Sequence, residues 1–202
     1  MNDPPRVFAI LPAAGKSRRM GQPKLLLPWQ DGTVIDSVLK AWTSSQVTHV
    51  IVVCRKDDAE LIAACRKWPV EVVLPEEDPP DMKCSIQNGI DRIRESMSPT
   101  ENDHWMIAPA DLPTLKTKVI DRVIDERNTT NIVVPRFDGH ASHPVLLPWS
   151  LSPELSLLKA SEGLKSLIER HPKRFVEFEK AAYAPDMDAP EDYERLVSKP
   201  TS

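Results

Sequence analysis

Cysteine is scarce. The 202 residues hold three, Cys54, Cys65 and Cys84, an odd number with no C-x-x-C spacing. That excludes a disulfide scaffold and argues against a tetrahedral zinc site. Cys54 and Cys65 stand among apolar neighbours and read as buried thiols. No apolar run approaches the roughly 20 residues that span a bilayer. The start, Met1-Asn2-Asp3-Pro4-Pro5, lacks the basic-then-apolar order of a secretory signal. Positive charge is not in excess either: 26 Lys+Arg face 30 Asp+Glu, for a net charge of −4. General attraction to nucleic acid or to an anionic membrane is therefore not expected. There is no fixed-period repeat and no low-complexity segment. A cytoplasmic protein of one domain over residues 1–202 is the expectation, with neither nucleic acid nor membrane as a partner.

What is present suits a sizeable core: 41% of the residues are hydrophobic and 28% charged. Twenty prolines, about twice the usual share of roughly 5%, fall between periodic segments and punctuate loops. Arg6 to Leu11 is a short apolar run, read as a buried strand. A basic loop follows from Pro12 to Pro28. Apolar residues at Val34, Ile35, Val38, Leu39 and Trp42 have helical spacing. Val47–Cys54 and Val70–Leu74 read as strands with a helix between them, from Asp57 to Trp68. The acidic, proline-rich stretch Pro75–Pro80 leads into a helix through Ile86, Ile90 and Ile93. Trp105–Ala108 is the next strand, then a helix around Val119, Val123 and Ile124, then the strand Ile132–Val134. Alternation of this kind predicts βαβ units and a mostly parallel sheet covered on both faces.

After residue 135 the pattern loosens. His143–Leu147 and Arg174–Glu179 read as strands, Pro153–Lys159 and Ser161–Arg170 as helices, and Pro190–Val197 as a closing helix. The fold expected is α/β, a three-layer α/β/α, Rossmann-like domain. Residues 6–135 form its regular βαβ part, and residues 136–202 a looser elaboration. Ligands in such sheets bind at the carboxyl ends of the strands.

Such an end is where the basic loop begins. Between Asp3 and Asp31 no acidic residue occurs, while Lys16, Arg18, Arg19 and Lys24 lie close together. Small residues at Ala13, Ala14 and Gly15 let the backbone approach a ligand, and its N–H groups then cradle anionic oxygens. The combination points to a bound polyphosphate. Two familiar phosphate motifs fail on spacing. Gly15-Lys16-Ser17 resembles the end of a P-loop, but its first glycine would have to be Ile10. A dinucleotide fingerprint needs G-x-G-x-x-G, and here Gly15 and Gly21 are six apart. Asp111 follows the strand that ends at Ala108, which suits either a metal ligand or a turn cap. His140 and His143 have no third nitrogen or thiolate nearby in the sequence, so a zinc pair is disfavoured.

The string from Leu11 to Pro28 resembles the signature of the MobA-like nucleotidyltransferases, L-x-A-G-x-S-x-R-M-G-x-x-K-x-L-L-P. It carries Leu11, Gly15, Ser17, Arg19, Met20, Gly21, Lys24, Leu26, Leu27 and Pro28, with Ala14 at a position where the branches vary. Ala13-Ala14-Gly15, Trp29 and Asp31-Gly32-Thr33 are most similar to the molybdenum cofactor cytidylyltransferases. A methyl at Ala14 narrows the space beside a base and favours a pyrimidine. Ala110-Asp111-Leu112-Pro113 resembles the family's G-D-x-P, whose Asp binds Mg²⁺. Asp186-Met187-Asp188-Ala189-Pro190-Glu191-Asp192 resembles D-[IV]-D-T-P-E-D, which implies Asp188 as a second carboxylate toward the metal. A cap on the terminal helix is the other reading of Asp188. His143-Pro144-Val145 resembles the family's G-H-P-[VI], with Ser142 in place of the Gly, and implies that His143 lines the acceptor pocket.

One stretch departs. The family's N-P-x-x-x-x-G-[ML]-x-x-S appears as Leu74-Pro75 to Asp81-Met82-Lys83-Cys84-Ser85, one residue longer and without the Asn and the Gly. Ser85 keeps its place. The resemblance implies a fold related to GT-A domains and a Mg²⁺-dependent transfer of CMP from CTP to the terminal phosphate of molybdopterin, releasing pyrophosphate. Lys24 and Arg19 would offset charge on the phosphates. Leu11, Ala13, Ala14, Gly15, Lys16, Ser17 and Ser85 would hold the nucleotide, and Asp111 and Asp188 the metal. Transient contact with a recipient molybdoenzyme or its chaperone is also implied. The departing loop leaves other readings open: GTP as donor, or a sugar or isoprenoid-precursor phosphate as acceptor. A non-catalytic cofactor carrier is the alternative of another class, and Lys24, Asp111 and Asp188 together argue against it.

Overall fold

The computed structural model describes residues 4–179 and 183–198. Met1–Asp3, part of the amino-terminal stretch read above, lie outside them. The first half of the chain runs β1 (Val7–Pro12), β2 (Pro28–Trp29), β3 (Gly32–Thr33), α1 (Val34–Thr43), β4 (His49–Val53), α2 (Ala59–Cys65), β5 (Glu71–Val73) and α3 (Met82–Met97). The second half adds β6 (His104–Ile107), α4 (Thr117–Asp125), β7 (Ile132–Phe137), β8 (His140–Ala141), β9 (Val145–Pro148), α5 (Ser152–Ser156), α6 (Leu164–Arg170), β10 (Lys173–Phe178) and α7 (Pro190–Val197).

Among the described residues the main sheet has the order β10-β7-β9-β6-β1-β4-β5, with β8 beside β7. β1 is parallel to β4 and β6, β4 to β5, and β10 to β7, while β9 runs against both β6 and β7. The carboxyl ends of β1, β4, β6, β7 and β10 therefore share one edge. Side chains alternate across the sheet. Val7, Ala9 and Leu11 of β1 join a core layer with α1, α2 and α4. Phe8 and Ile10 face the opposite layer, with α3, α5 and α6. The expected three-layer α/β/α arrangement with a mostly parallel sheet is what forms.

The helices follow their apolar stripes. In α1 the buried residues are Val34, Ile35, Val38, Leu39, Ala41 and Trp42. Its start is fixed by Thr33 and Asp36: the Asp36 N–H donates to the Thr33 hydroxyl oxygen, and the Asp36 carboxylate accepts the Thr33 N–H. Helix α3 lies so close to β1 that a Cβ on Gly89 would stand 2.6 Å from Ile10 Cγ2. Ile10 is fully buried and β-branched, so it has no rotamer in which to withdraw. Gly89→Ala is therefore expected to destabilise by about 2 kcal/mol: overpacking of about 3 kcal/mol outweighs the gain of about 1 kcal/mol in helix propensity. Chemical denaturation would measure it; an unchanged or raised stability would mean that α3 can move off the sheet.

Three details differ from the reading of the sequence. The loop read as unbroken to Pro28 closes on a two-residue hairpin, β2 with β3. β8 forms a second short hairpin after β7, turning through Asp138 and Gly139 at φ +53° and +80°. α6 starts at Leu164 with Gly163 as its N-cap, later than Ser161. No helix among the described residues is long and apolar enough to cross a membrane.

Candidate active site

Strand β1 ends at Pro12, and the chain turns into the basic loop at the carboxyl edge of the sheet. The Ala13 N–H donates to the Val53 carbonyl at the end of β4 (2.9 Å), which ties the loop's first residue to the neighbouring strand. Arg55, just after β4, holds the next two: its guanidinium donates to the carbonyls of Ala14 and Gly15 at 3.3 and 3.4 Å. Further on, the Ser17 carbonyl accepts the N–H groups of Met20 and Gly21, both at 3.1 Å. Gly21 closes that turn at φ +69°, where a side chain would be strained.

Beside this loop lies a cavity of about 630 Å³. One wall is the loop itself, from Pro12 through Lys24. The opposite wall is the amino-terminal end of α3 and the loop before it, Asp78 to Ser85. Asp81 caps that helix by accepting the Cys84 N–H at 2.8 Å, and this bond first of all holds its carboxyl below the usual range. Pro109, Ala110 and Asp111, after β6, and Asp186 and Asp188, before α7, close the far end. A methyl added at Gly15 would meet nothing within 4 Å, so the backbone there is open to an incoming anion.

Charge is organised around Lys24. Its ammonium donates to Asp111 Oδ2 and, at 3.1 Å, to Asp188 Oδ1. Arg19 donates to the other oxygen of Asp188 at 2.9 Å. The Lys24 side chain is only 17% exposed and that of Asp111 9%. Burial alone would lower the lysine's pKa, but the attraction and hydrogen bonds of Asp111 and Asp188 outweigh it and hold the ammonium above its ordinary range. Asp111 Oδ1 is buried with no hydrogen-bond partner among the described residues. An unpaired carboxylate oxygen of this kind fits a hard divalent cation. Among the described residues no three His, Cys, Asp or Glu are gathered so as to hold a metal by themselves. Two carboxylates with further oxygens from phosphate is the usual way Mg²⁺ is bound.

Of the residues singled out in the sequence, Ala13, Ala14, Gly15, Lys16, Arg19, Lys24, Ser85, Asp111 and Asp188 all line this cavity. Three do not. Leu11 is fully buried in β1 and supports the loop from below. Ser17 shapes the loop, its Oγ accepting the Lys24 N–H at 3.4 Å. His143 is partly buried, within electrostatic reach of Asp186 and Asp111, with Nδ1 unpartnered among the described residues. Burial lowers its pKa, against the opposing charges of Asp186 and Asp111. The cap reading of Asp188 is corrected: α7 has Ala189 as its N-cap, and it is Asp192 that accepts the N–H groups of Asp188 and Ala189, at 3.2 and 3.0 Å. His140, the other histidine of the pair, is exposed in β8.

Asp186, Asp78 and Arg55 were not anticipated. Asp186 has a visible signal: in an extended segment residues i and i+2 face the same way. Met187 between them is fully buried while Asp186 and Asp188 both reach the cavity. Burial, then the charges of Asp111 and Asp188, push the Asp186 carboxyl up. Asp78, in the acidic loop, pairs with Lys16 at 2.9 Å and approaches Arg55 at 3.9 Å.

Comparison with known proteins bears on family and fold. The MobA-like NTP transferase domain family matches residues 9–175. The molybdenum cofactor cytidylyltransferase of Escherichia coli is 23% identical over 187 residues, 93% of each chain. The purine catabolism protein PucB of Bacillus subtilis is 29% identical over 95% of this chain and 96% of its own. Among solved structures, Rv0371c of Mycobacterium tuberculosis superposes with a TM-score of 0.84 at 25% identity, over 98% of this chain and 100% of that one. A complex of Rv0371c with manganese superposes with a TM-score of 0.78 at 26% identity, over 95% and 98%.

Proposed function

The chain belongs to the MobA-like NTP transferase domain family and is a nucleotidyltransferase, and from that premise we propose that it transfers CMP from CTP to the terminal phosphate of a molybdopterin-type acceptor. The observation that carries the reading is Lys24, set between Asp111 and Asp188 in a cavity of which the basic loop forms one wall.

In this reaction a phosphate oxygen of the acceptor attacks the α-phosphorus of the nucleotide. The bond from that phosphorus to the bridging oxygen breaks, and pyrophosphate leaves. The attacking phosphate is already ionised, so no general base is needed and no proton has to move; positioning and electrostatics supply the rate. The backbone from Ala14 to Ser17 holds phosphate oxygens through its N–H groups; the Ala13 N–H, expected among them, is taken by the Val53 carbonyl. Lys16, Arg19 and Lys24 offset the charge of the triphosphate and of the departing pyrophosphate. Asp111 and Asp188 would hold a divalent cation, Mg²⁺ in this reading, which supplies charge neutralisation to the triphosphate. The manganese complex of Rv0371c supports a divalent ion in the fold. Ala14, lining the cavity and 9% exposed, keeps the space beside the base small, which favours cytosine over guanine. Buried free thiols at Cys54 and Cys65 suit the reducing cytoplasm.

The test is pyrophosphate release with Mg²⁺ and purified molybdenum cofactor, comparing CTP, GTP and ATP, with Asp111→Ala as the control. Release with CTP, lost in the variant, is the expected result. Release with GTP instead would keep the mechanism and change the base, and no release with any of them would remove the acceptor from consideration.

The acidic loop yields a further expectation. Asp78 occupies Lys16, so a triphosphate has to exchange with it. Both side chains are about half exposed, and such a pair is worth up to about 1 kcal/mol. Asp78→Asn is expected to lower the KM for the nucleotide about two- to fivefold with kcat unchanged, and the gain should shrink as salt is raised. A raised KM would show that the carboxylate contributes to binding.

A further inference from the structure

Lys24 cannot serve two masters at once. Its ammonium is turned toward Asp111 and Asp188, the two carboxylates that the proposed reaction assigns to a divalent cation. A lysine directed at carboxylates has few donors left for a triphosphate. A divalent ion placed between the same oxygens would also stand within a few ångströms of an ammonium of like charge. The two cations therefore compete for one position.

The surroundings favour such an exchange. Asp111 is buried, and one of its oxygens takes Lys24 while the other has no hydrogen-bond partner among the described residues. A buried carboxylate without a cation is costly, so in the absence of an ion the lysine is the charge that makes it tolerable. Asp188 is more open, at 38% exposed, and already shares its second oxygen with Arg19. It can turn between partners more readily than Asp111 can. Lys24 itself hangs from the short 3₁₀ turn Lys24–Leu26, on a flexible stem whose ammonium has three donors to redirect.

We infer that Lys24 is the cation's placeholder: its ammonium and the divalent ion compete for Asp111 and Asp188, and the ion's arrival turns Lys24 toward the phosphate oxygens. The exchange rests on the reading of Asp111 and Asp188 given above. It makes the ion and the nucleotide bind together. The ion alone must displace an ammonium that then has no partner, whereas an ion accompanied by a triphosphate provides that partner. No bond is made or broken; three charges change neighbours.

The test uses Mn²⁺ as the probe, without nucleotide or acceptor. Bound Mn²⁺ is counted by electron paramagnetic resonance for the wild type, Lys24→Met and Asp111→Asn, and thermal unfolding is followed with and without the ion. Lys24→Met is expected to bind Mn²⁺ at least tenfold more tightly than the wild type, and Mn²⁺ should raise its melting temperature by more. Asp111→Asn is expected to bind far more weakly. If Lys24→Met binds no better than the wild type while Asp111→Asn loses the ion, the carboxylates hold the cation without exchange; that overturns the inference and leaves the proposed function standing. If Asp111→Asn binds as the wild type does, the metal assignment falls and the inference with it. Lys24→Gln keeps most of the volume without the charge and gives the same comparison should the methionine variant not fold.

Discussion

Lys24→Ala is expected to lower kcat by about 10²–10³-fold, equivalent to about 3–4 kcal/mol of transition-state stabilisation, while the KM for the nucleotide changes by a much smaller factor. The reason lies in where charge appears. In the proposed reaction the ground-state phosphates are held by many groups, the backbone of Ala14 to Ser17, Lys16 and Arg19 among them, so losing one cation costs little binding. Charge transferred to the departing pyrophosphate is met only by cations that face it in a partly water-excluded site, and Lys24 is the most shielded of them, 17% exposed against 74% for Arg19. Arg19→Ala should therefore have the smaller effect. Steady-state pyrophosphate release, with binding measured separately, distinguishes the two. Near-full turnover in Lys24→Ala would remove it from the chemistry.

Asp103→Ala is expected to cost about 3 kcal/mol of stability without touching the site. Asp103 stands at the start of β6 and is buried. Its carboxylate accepts the Arg6 backbone N–H at 2.8 Å, the Arg6 guanidinium at 2.7 Å and the Thr100 N–H at 2.7 Å. One side chain thus joins the entry to β1, the entry to β6 and the turn between α3 and β6. Burial would raise its pKa, but the hydrogen bonds from Arg6 and Thr100 prevail and hold it below the usual range. A folded pKa below the unfolded value of about 3.9 means that the carboxylate's contribution is complete above that pH. It is lost as pH falls through the lower, folded value. The stability gap between wild type and variant should then be constant from pH 5 to 8 and narrow below about pH 4. A gap that stays constant into acid would mean that the loss is one of packing.

Much of the fold was legible because its strands are β-branched and buried on both faces, as at Val50–Val53 and Ile132–Val134. The short hairpins were not. β2–β3 and β8 have two residues per strand, too few for any period to register. Nor could sequence show that β9 enters between β6 and β7 in the opposite direction, since its apolar run reads the same either way. At the site, Lys24 and Asp111, which line the cavity and pair within it, stood out by type and spacing. Those that act by proximity across the fold did not: Arg55 reaches back to Ala14, and Asp78 reaches over to Lys16, through contacts that only the folded sheet creates. Leu11, Ser17 and His143 show the converse. Their motif positions are met, yet none of the three lines the cavity.

Asp188 reaches Lys24 from the far end of the chain, and the Tyr193 hydroxyl fastens α7 to the Pro28 carbonyl at 2.8 Å. The two contacts span 164 and 165 positions of sequence, so they act as one clasp: detaching α7 would release Asp188 from Lys24 and leave Asp111 as the carboxylate that Lys24 keeps among the described residues.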